Sequence, residues 1–325
     1  QGFSGLNSLK KSRLEFEKSN FELKQKEQDI IIGASKAYLD LIYNNQNKNF
    51  NLSNVDLFER QVESDGARAQ KGEITLTDLA QSESSLAGAN AKLIAAETEL
   101  LTANAEFERI TKAKIPSNPL KPNELKLNLP NSLNEAINIA KKDNPQLIIA
   151  KINYEISKRN LEIEKASLSP KASLNYSRSE NDDFSASVDE IDEESFKATI
   201  TWPLIKGGKN YSSIKKSKFE KEQNKLILED VENEVKTKTA NFWSKYQSSK
   251  SILISTASQL KAAEIANEGI TLEYDSGDSR TTLEVIQSRS LLLDARIAHA
   301  KSERDFVISQ FELLAQLGGL SINIF

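Results

Sequence analysis

The chain has 325 residues, 43 basic and 47 acidic side chains for a formal charge of −4, and no cysteine. So mild a balance argues against nucleic acid as the main partner, and the missing thiols exclude disulfides, thiol catalysis and cysteine-held zinc together. At 38% apolar and 28% charged residues, the sequence is too polar for one compact core of this length and too periodic for disorder.

All seven prolines lie between Pro116 and Pro203. Proline inside a helix removes a hydrogen bond and clashes with the preceding turn, at about 3 kcal/mol, so the two proline-free arms are open to long helices. Residues 1–5 read as the end of a strand. Residues 6–71 follow as one helix of about 100 Å at roughly 1.5 Å per residue. Lys71-Gly72-Glu73 ends it in a tight turn, where glycine supplies the backbone freedom. The returning helix occupies 76–113. Its Leu86, Leu93, Leu100 and Phe107 recur every seven residues, as a coiled-coil seam requires. The stretch 114–131 holds four prolines and is an irregular connector. Ser132 with Glu135 forms a capping box that opens a kinked helix over 132–167, interrupted at Asn144-Pro145.

Between 168 and 208 the period changes to two. Ala172, Leu174 and Tyr176 alternate with polar residues, and so do Phe196, Ala198, Ile200, Trp202 and Leu204. Alternation predicts a β-hairpin with one apolar and one polar face. On these residues alone, a membrane-crossing hairpin and an ordinary half-buried one fit equally well. In the first case Phe196, Ile200 and Trp202 face lipid, while Lys197, Thr199 and Thr201 face an aqueous lumen. Two strands cannot close a barrel, so a membrane hairpin requires several copies to share one. The run 180–194, with eight acids and no Lys or Arg, reads as a solvated loop without the spacing of a calcium loop. The second arm then repeats the first: a helix over 209–275, a tip at Ser276-Gly277-Asp278, a return over 281–317 and a C-terminal segment, 318–325.

The repetition is in register. Lys10-Lys11-Ser12 falls on Lys215-Lys216-Ser217, Tyr38 on Trp243 and Gly72 on Gly277 at a constant offset of 205. After one inserted residue, Asp78 meets Glu284, Gln81 meets Gln287, Leu86 meets Leu292 and Ala89 meets Ala295. The fold class predicted is mainly α: duplicated long helical hairpins with a few amphipathic strands.

This order of segments resembles the TolC-like outer membrane efflux protein family. The resemblance rests on Ala37-Tyr38-Leu39-Asp40, the run Gly72 to Asp78, Trp202-Pro203-Leu204 with Gly207-Gly208, Tyr274-Asp275-Ser276-Gly277, and Arg280-Thr281-Thr282-Leu283-Glu284. It implies a homotrimer in which a shared outer membrane β-barrel continues into a helical tunnel through the periplasm of a Gram-negative cell. Such a duct is a passive exit in tripartite efflux or type I secretion. Its partners are a periplasmic adaptor, an inner-membrane pump and outer membrane lipid. It further implies a signal peptide or lipid anchor upstream, and a helix and strand preceding Gln1.

By the same resemblance, Tyr274 and Arg280 reach Thr77 and Asp78 and hold an aperture shut, and Glu284 and Gln287 face the pore. Adaptor docking falls on the tips, Gly72-Glu73 and Gly277-Asp278, which here are more polar than the apolar-glycine-apolar tips of the family. No catalytic site, cofactor or metal site is predicted: there is no phosphate-binding loop or nucleophile motif, and His299 is flanked by Ala298 and Ala300 on a helical stretch. The competing reading is a periplasmic adaptor or coiled-coil scaffold. An adaptor carries one hairpin rather than two, and a scaffold has no use for the alternating strand from Phe196 to Leu204. A secreted pore-forming toxin would carry an apolar insertion element.

Overall fold

The computed structural model of the chain describes residues 3–116, 119–121, 127–185, 188–203, 207–276 and 280–322, with side chains 182–190 outside the description. Among the described residues, six helices and two strands follow in the order α1 (Ser4–Gln70), α2 (Leu76–Thr111), α3 (Leu133–Asp143), α4 (Pro145–Ala166), β1 (Lys171–Ser185), β2 (Val188–Thr201), α5 (Lys209–Asp275) and α6 (Thr282–Gln316). Both long helices have 67 residues, which is the duplication seen directly.

The chain divides into two units. One comprises 1–25 and 145–235, the other 26–144 and 236–325. In the first unit, α4 buries Leu147, Ile152 and Leu161, and Val235 of α5 is fully buried. Gln146 donates to Glu234 at 2.9 Å. The β-hairpin also belongs to this unit. Its antiparallel register pairs Ala172 with Ile200, Leu174 with Ala198 and Tyr176 with Phe196, and between these rows Ser173 with Thr199, Asn175 with Lys197 and Ser177 with Ser195. Apolar meets apolar and polar meets polar, so the ribbon has one face of each kind. Trp202 closes the base, its indole N–H donating to the Leu168 carbonyl at 3.2 Å.

Three expectations are corrected here. Apart from Ala186 and Ser187, which lie outside the described residues, the acidic run 180–194 is strand rather than loop: β1 continues to Ser185 and β2 begins at Val188, with a register irregularity between Asp182 and Ser185. A backbone ladder tolerates charge where side chains stay in water, and Arg178 offsets part of it, touching Glu180 and lying 3.8 Å from Asp192 and 4.0 Å from Glu194. The opening residues 1–5 do not end a strand. Ser4 and Gly5 already belong to α1, which starts after Phe3 at φ 60°, while Gln1 and Gly2 lie outside the described residues. The helix over 132–167 is broken rather than kinked, because Asn144 leaves the helical region with ψ 121° before Pro145, as a proline's neighbour is forced to do.

In the second unit, Ile31 and Leu39 of α1 pack with Ile308, Phe311 and Leu314 of α6 and with Leu320. Ala37 and Leu41 pack with Phe107, flanked by Tyr38, Leu100 and Ile110. Val55 and Phe58 pack with Ala89, flanked by Leu86, Leu93 and Ile286. Each fully buried Leu or Phe contributes about 1.5–3 kcal/mol. The seven-residue stripe of α2 that is most deeply buried is Ser82, Ala89, Ala96 and Ala103, with Phe107 at its end. Leu86 and Leu93 line its edge. Small residues at the seam let helix backbones approach, and leucines beside them seal the contact.

After α6 the chain turns through Gly318 at φ 77°. A Cβ there would lie 2.0 Å from the Asp143 carbonyl oxygen, so only glycine fits. The same corner is fastened by Asn144, whose side-chain amide donates to the Gln316 carbonyl at 2.8 Å. Tyr38 donates to the Leu120 carbonyl at 2.9 Å, tying α1 to the connector.

Candidate functional site at the hairpin ends

Both hairpin ends are built by the same local device. Thr75 caps α2: its hydroxyl accepts from the Asp78 amide at 3.2 Å, and the Asp78 carboxylate accepts from the Thr75 amide at 3.0 Å. Thr281 caps α6 in the same way, with Glu284 as its reciprocal partner at 3.3 and 2.8 Å. A capping box satisfies two of the amides a helix start leaves unpaired. These bonds favour the charged carboxyls. The Thr75 hydroxyl, then its amide, hold Asp78 below the usual carboxylate range, and the Thr281 amide does the same for Glu284 with help from Arg280. Gly72 turns the first tip at φ 76°. Glu73 beside it lies 3.5 Å from Arg68.

Beneath the caps lies a buried polar cluster. The Asp65 carboxylate is 0% exposed, as is Ser82. Tyr274 donates its hydroxyl to Asp65 Oδ1 at 2.9 Å, Ser82 donates to Oδ2 at 2.5 Å, and the Gln61 amide donates to both oxygens at 2.9 and 3.0 Å. The Tyr274 oxygen also lies 3.1 Å from the Thr282 hydroxyl and 3.3 Å from the Gln61 amide. Burial raises the Tyr274 hydroxyl above its ordinary pKa, so it stays a donor at any physiological pH. The Arg68 guanidinium sits over its ring at 5.0 Å, within range of a cation–π contact. Arg289 nearby donates to the Leu57 carbonyl at 3.3 Å. Burial lowers its pKa, opposed by Asp275, Asp65 and Tyr274.

The structure therefore brings Tyr274 to the first hairpin, but to Asp65 rather than to Asp78. Asp78 turns its carboxylate back onto the cap of its own helix, whereas Asp65 is buried beside Tyr274 and presents a free acceptor position to it. Arg280 likewise does not reach Thr77 or Asp78 within the chain. It donates to Glu273 at 2.5 Å and to Glu284 at 2.9 Å, and these carboxylates hold its pKa above the ordinary value. Thr77 and Gln287 are exposed, and Glu284 is half-buried. Gly277 and Asp278, expected at the second docking tip, lie outside the described residues, as does Leu204. On the β-hairpin, Phe196, Ile200 and Trp202 are 71%, 78% and 60% exposed.

Sequence reading missed Gln61, Asp65, Ser82 and Thr282. A signal for the first two was present: Asn47, Asn51, Asn54, Phe58, Gln61 and Asp65 follow a 4-3-4-3-4 spacing and are all buried on α1. That is a seam spacing filled mostly by polar residues, and a search for apolar periodicity passes over it. Among the described residues no group of three or more His, Asp or Glu gathers as a metal site. Among the described residues, no helix is long and apolar enough to cross a membrane.

Residues 136–319 match the family model described as outer membrane efflux protein. Over 323 residues the chain is 26% identical to the outer membrane efflux protein BepC of Brucella suis, spanning 99% of this chain and 70% of that protein. It is 22% identical over 302 residues to the outer membrane protein TolC of Vibrio cholerae, spanning 91% of this chain and 69% of that one. Its fold resembles the crystal structure of the outer membrane protein VceC from Vibrio cholerae with a TM-score of 0.82 at 16% identity, covering 98% of this chain and 76% of that one.

Proposed function

The chain belongs to the outer membrane efflux protein family, and from that premise we propose that three copies assemble into a passive exit duct of a tripartite efflux or type I secretion system. The observation that carries the proposal is the β-hairpin. Among the described residues its two strands pair only with each other, its apolar rows are aligned, and Phe196 and Ile200 stand more than two-thirds exposed. Such a ribbon has two open edges and an unburied apolar face. Lipid together with strands from other copies satisfies both at once. Further support comes from α5, which leaves Phe219, Leu226, Ile252, Ile254, Ile265 and Leu272 exposed. A helix of a globular monomer does not leave so many large apolar side chains in water.

The hairpin ends form the periplasmic, closing end of the duct. Tyr274 and Arg280 hold it in one arrangement, and Thr77, Asp78, Glu284 and Gln287 present oxygen atoms around it. Gly72 and Glu73, with Gly277 and Asp278, dock the periplasmic adaptor. Through that adaptor the duct is served by an inner-membrane pump. The lipid-facing side chains are Phe196, Ile200 and Trp202. The export system reads this surface as polar, since Glu73 follows Gly72 and Asp278 follows Gly277 in the sequence.

Two measurements on the complete protein test the proposal. Its mass in mild detergent should equal three chains; a stable monomer would sink the duct. In planar bilayers, Tyr274→Phe combined with Arg280→Ser should raise single-channel conductance. Unchanged conductance would place the constriction elsewhere.

A further inference from the structure

We propose that Asp65 is the positioning residue of the closing end: a buried carboxylate that clasps the two hairpins to each other. The argument begins with what each hairpin brings. Gln61 and Asp65 belong to α1 and Ser82 to α2. Tyr274 and Thr282, from α5 and α6, are the second hairpin's share. The two Asp65 oxygens accept from Gln61, Ser82 and Tyr274 at 2.5–3.0 Å, and the Tyr274 oxygen passes the contact to Thr282 at 3.1 Å. One carboxylate thus gathers bonds from three helices and reaches the fourth through a phenol.

Its chemistry fits that task. A carboxylate accepts several hydrogen bonds and donates none, so it can satisfy three converging donors where a neutral amide or hydroxyl cannot. Bonds to a charged acceptor are stronger than neutral ones, and excluding water keeps them so. The node is also singular. The duplicate position of Asp65, at the offset of 205, is Ile270, and the duplicate of Ser82 is Ser288, which accepts instead from Asn267 at 3.0 Å. An acceptor that served only helix packing would suit both copies equally. One placed where the two copies meet is needed once. The second hairpin cannot leave the first until Asp65 gives up Tyr274.

The proposal rests on the reading of the hairpin ends as the closing end, and its test separates the two. The complete protein is reconstituted in planar bilayers as wild type, Asp65→Asn, Tyr274→Phe, the two combined, and an exchange variant, Asp65→Ser with Ser82→Asp. Asp65→Asn and Tyr274→Phe should each raise conductance several-fold. The combination should rise no further than the larger single change, because both cut the same bond. The exchange variant, which returns a carboxylate from the other side, should fall back toward wild type. A rise with Tyr274→Phe but none with Asp65→Asn overturns the clasp and leaves the gate standing; so do additive rises.

A second readout is independent of conductance. Spin labels on Glu83→Cys of α2 and Glu268→Cys of α5 report the spacing of the hairpins. Asp65→Asn should lengthen or broaden that distance, and an unchanged distribution overturns the clasp even if the closing end lies elsewhere. Should Asp65→Asn fail to assemble, Ser82→Ala keeps the carboxylate, removes one donor, and should shift both readouts in the same direction by less; no shift in either would overturn the clasp.

Discussion

The caps that open the returning helices of the two hairpins are copies, and the interiors beside them are strangers. Thr75 with Asp78 and Thr281 with Glu284 form the same capping box, 206 residues apart. Around these frames the polar chemistry differs. The second end surrounds Arg280 with Glu273 and Glu284. At the first end Arg68 lies 3.5 Å from Glu73 and stacks on the tyrosine of the other copy. The difference teaches which constraints a duplication preserves. A helix start must satisfy its own amides, a local demand felt identically by both copies. The interior is set by what each copy touches, and the two copies touch each other from opposite sides.

The comparison can be broken hardest at its least symmetric point. Asp65→Ala strands three buried donors, whereas Ile270→Ala trims a partly buried side chain at the equivalent place. Denaturant titration of the purified protein should show Asp65→Ala less stable by on the order of 3 kcal/mol and Ile270→Ala by clearly less. Equal losses would mean that the carboxylate has no special place. A smaller effect sharpens the symmetric part. Thr75→Ala and Thr281→Ala should each cost about 1 kcal/mol, alike within error, since each removes one N-cap. If one costs nothing, the two frames are not equivalent.

The smallest expected effect is in acid. Asp78 and Glu284 both have carboxyl pKa values depressed in the folded chain. Their contribution is complete above the unfolded carboxylate pKa and is lost as pH falls through the lower folded one. Stability followed downward from neutral pH should therefore decline in the acid range, with a shallower slope in Asp78→Asn and in Glu284→Gln. Both groups keep contact with solvent, so the Glu284 change should also shrink with added salt, since Arg280 contributes part of its shift. A slope unaltered by either substitution would assign acid sensitivity to other carboxylates.

The sequence by itself determined the elements whose causes are local. Proline placement freed two arms to become helices of 67 residues each. The Thr-x-x-Asp and Thr-x-x-Glu spacings carried the caps, and strict alternation carried the amphipathic ribbon, because backbone demands are met within a few residues. Asn144-Pro145 marked the break between α3 and α4, although only the ψ of Asn144 showed that the helix stops there. What the tertiary structure decided were choices of partner. The repeat places Tyr274, Asp65 and Asp78 all near the hairpin ends, and packing sets Tyr274 against the buried Asp65 while Asp78 turns back onto its own cap. The leucine ridge of α2 looked like the seam, yet Ser82, Ala89, Ala96 and Ala103 occupy it, since close helix approach rewards small side chains over large ones. The acidic run looked like a loop, yet its backbone continues the ladder, because pairing partners and not side-chain charge set where strands end. Periodicity tells which face of an element is used; only packing tells what stands opposite it, and a buried carboxylate is tolerable only where three donors happen to converge.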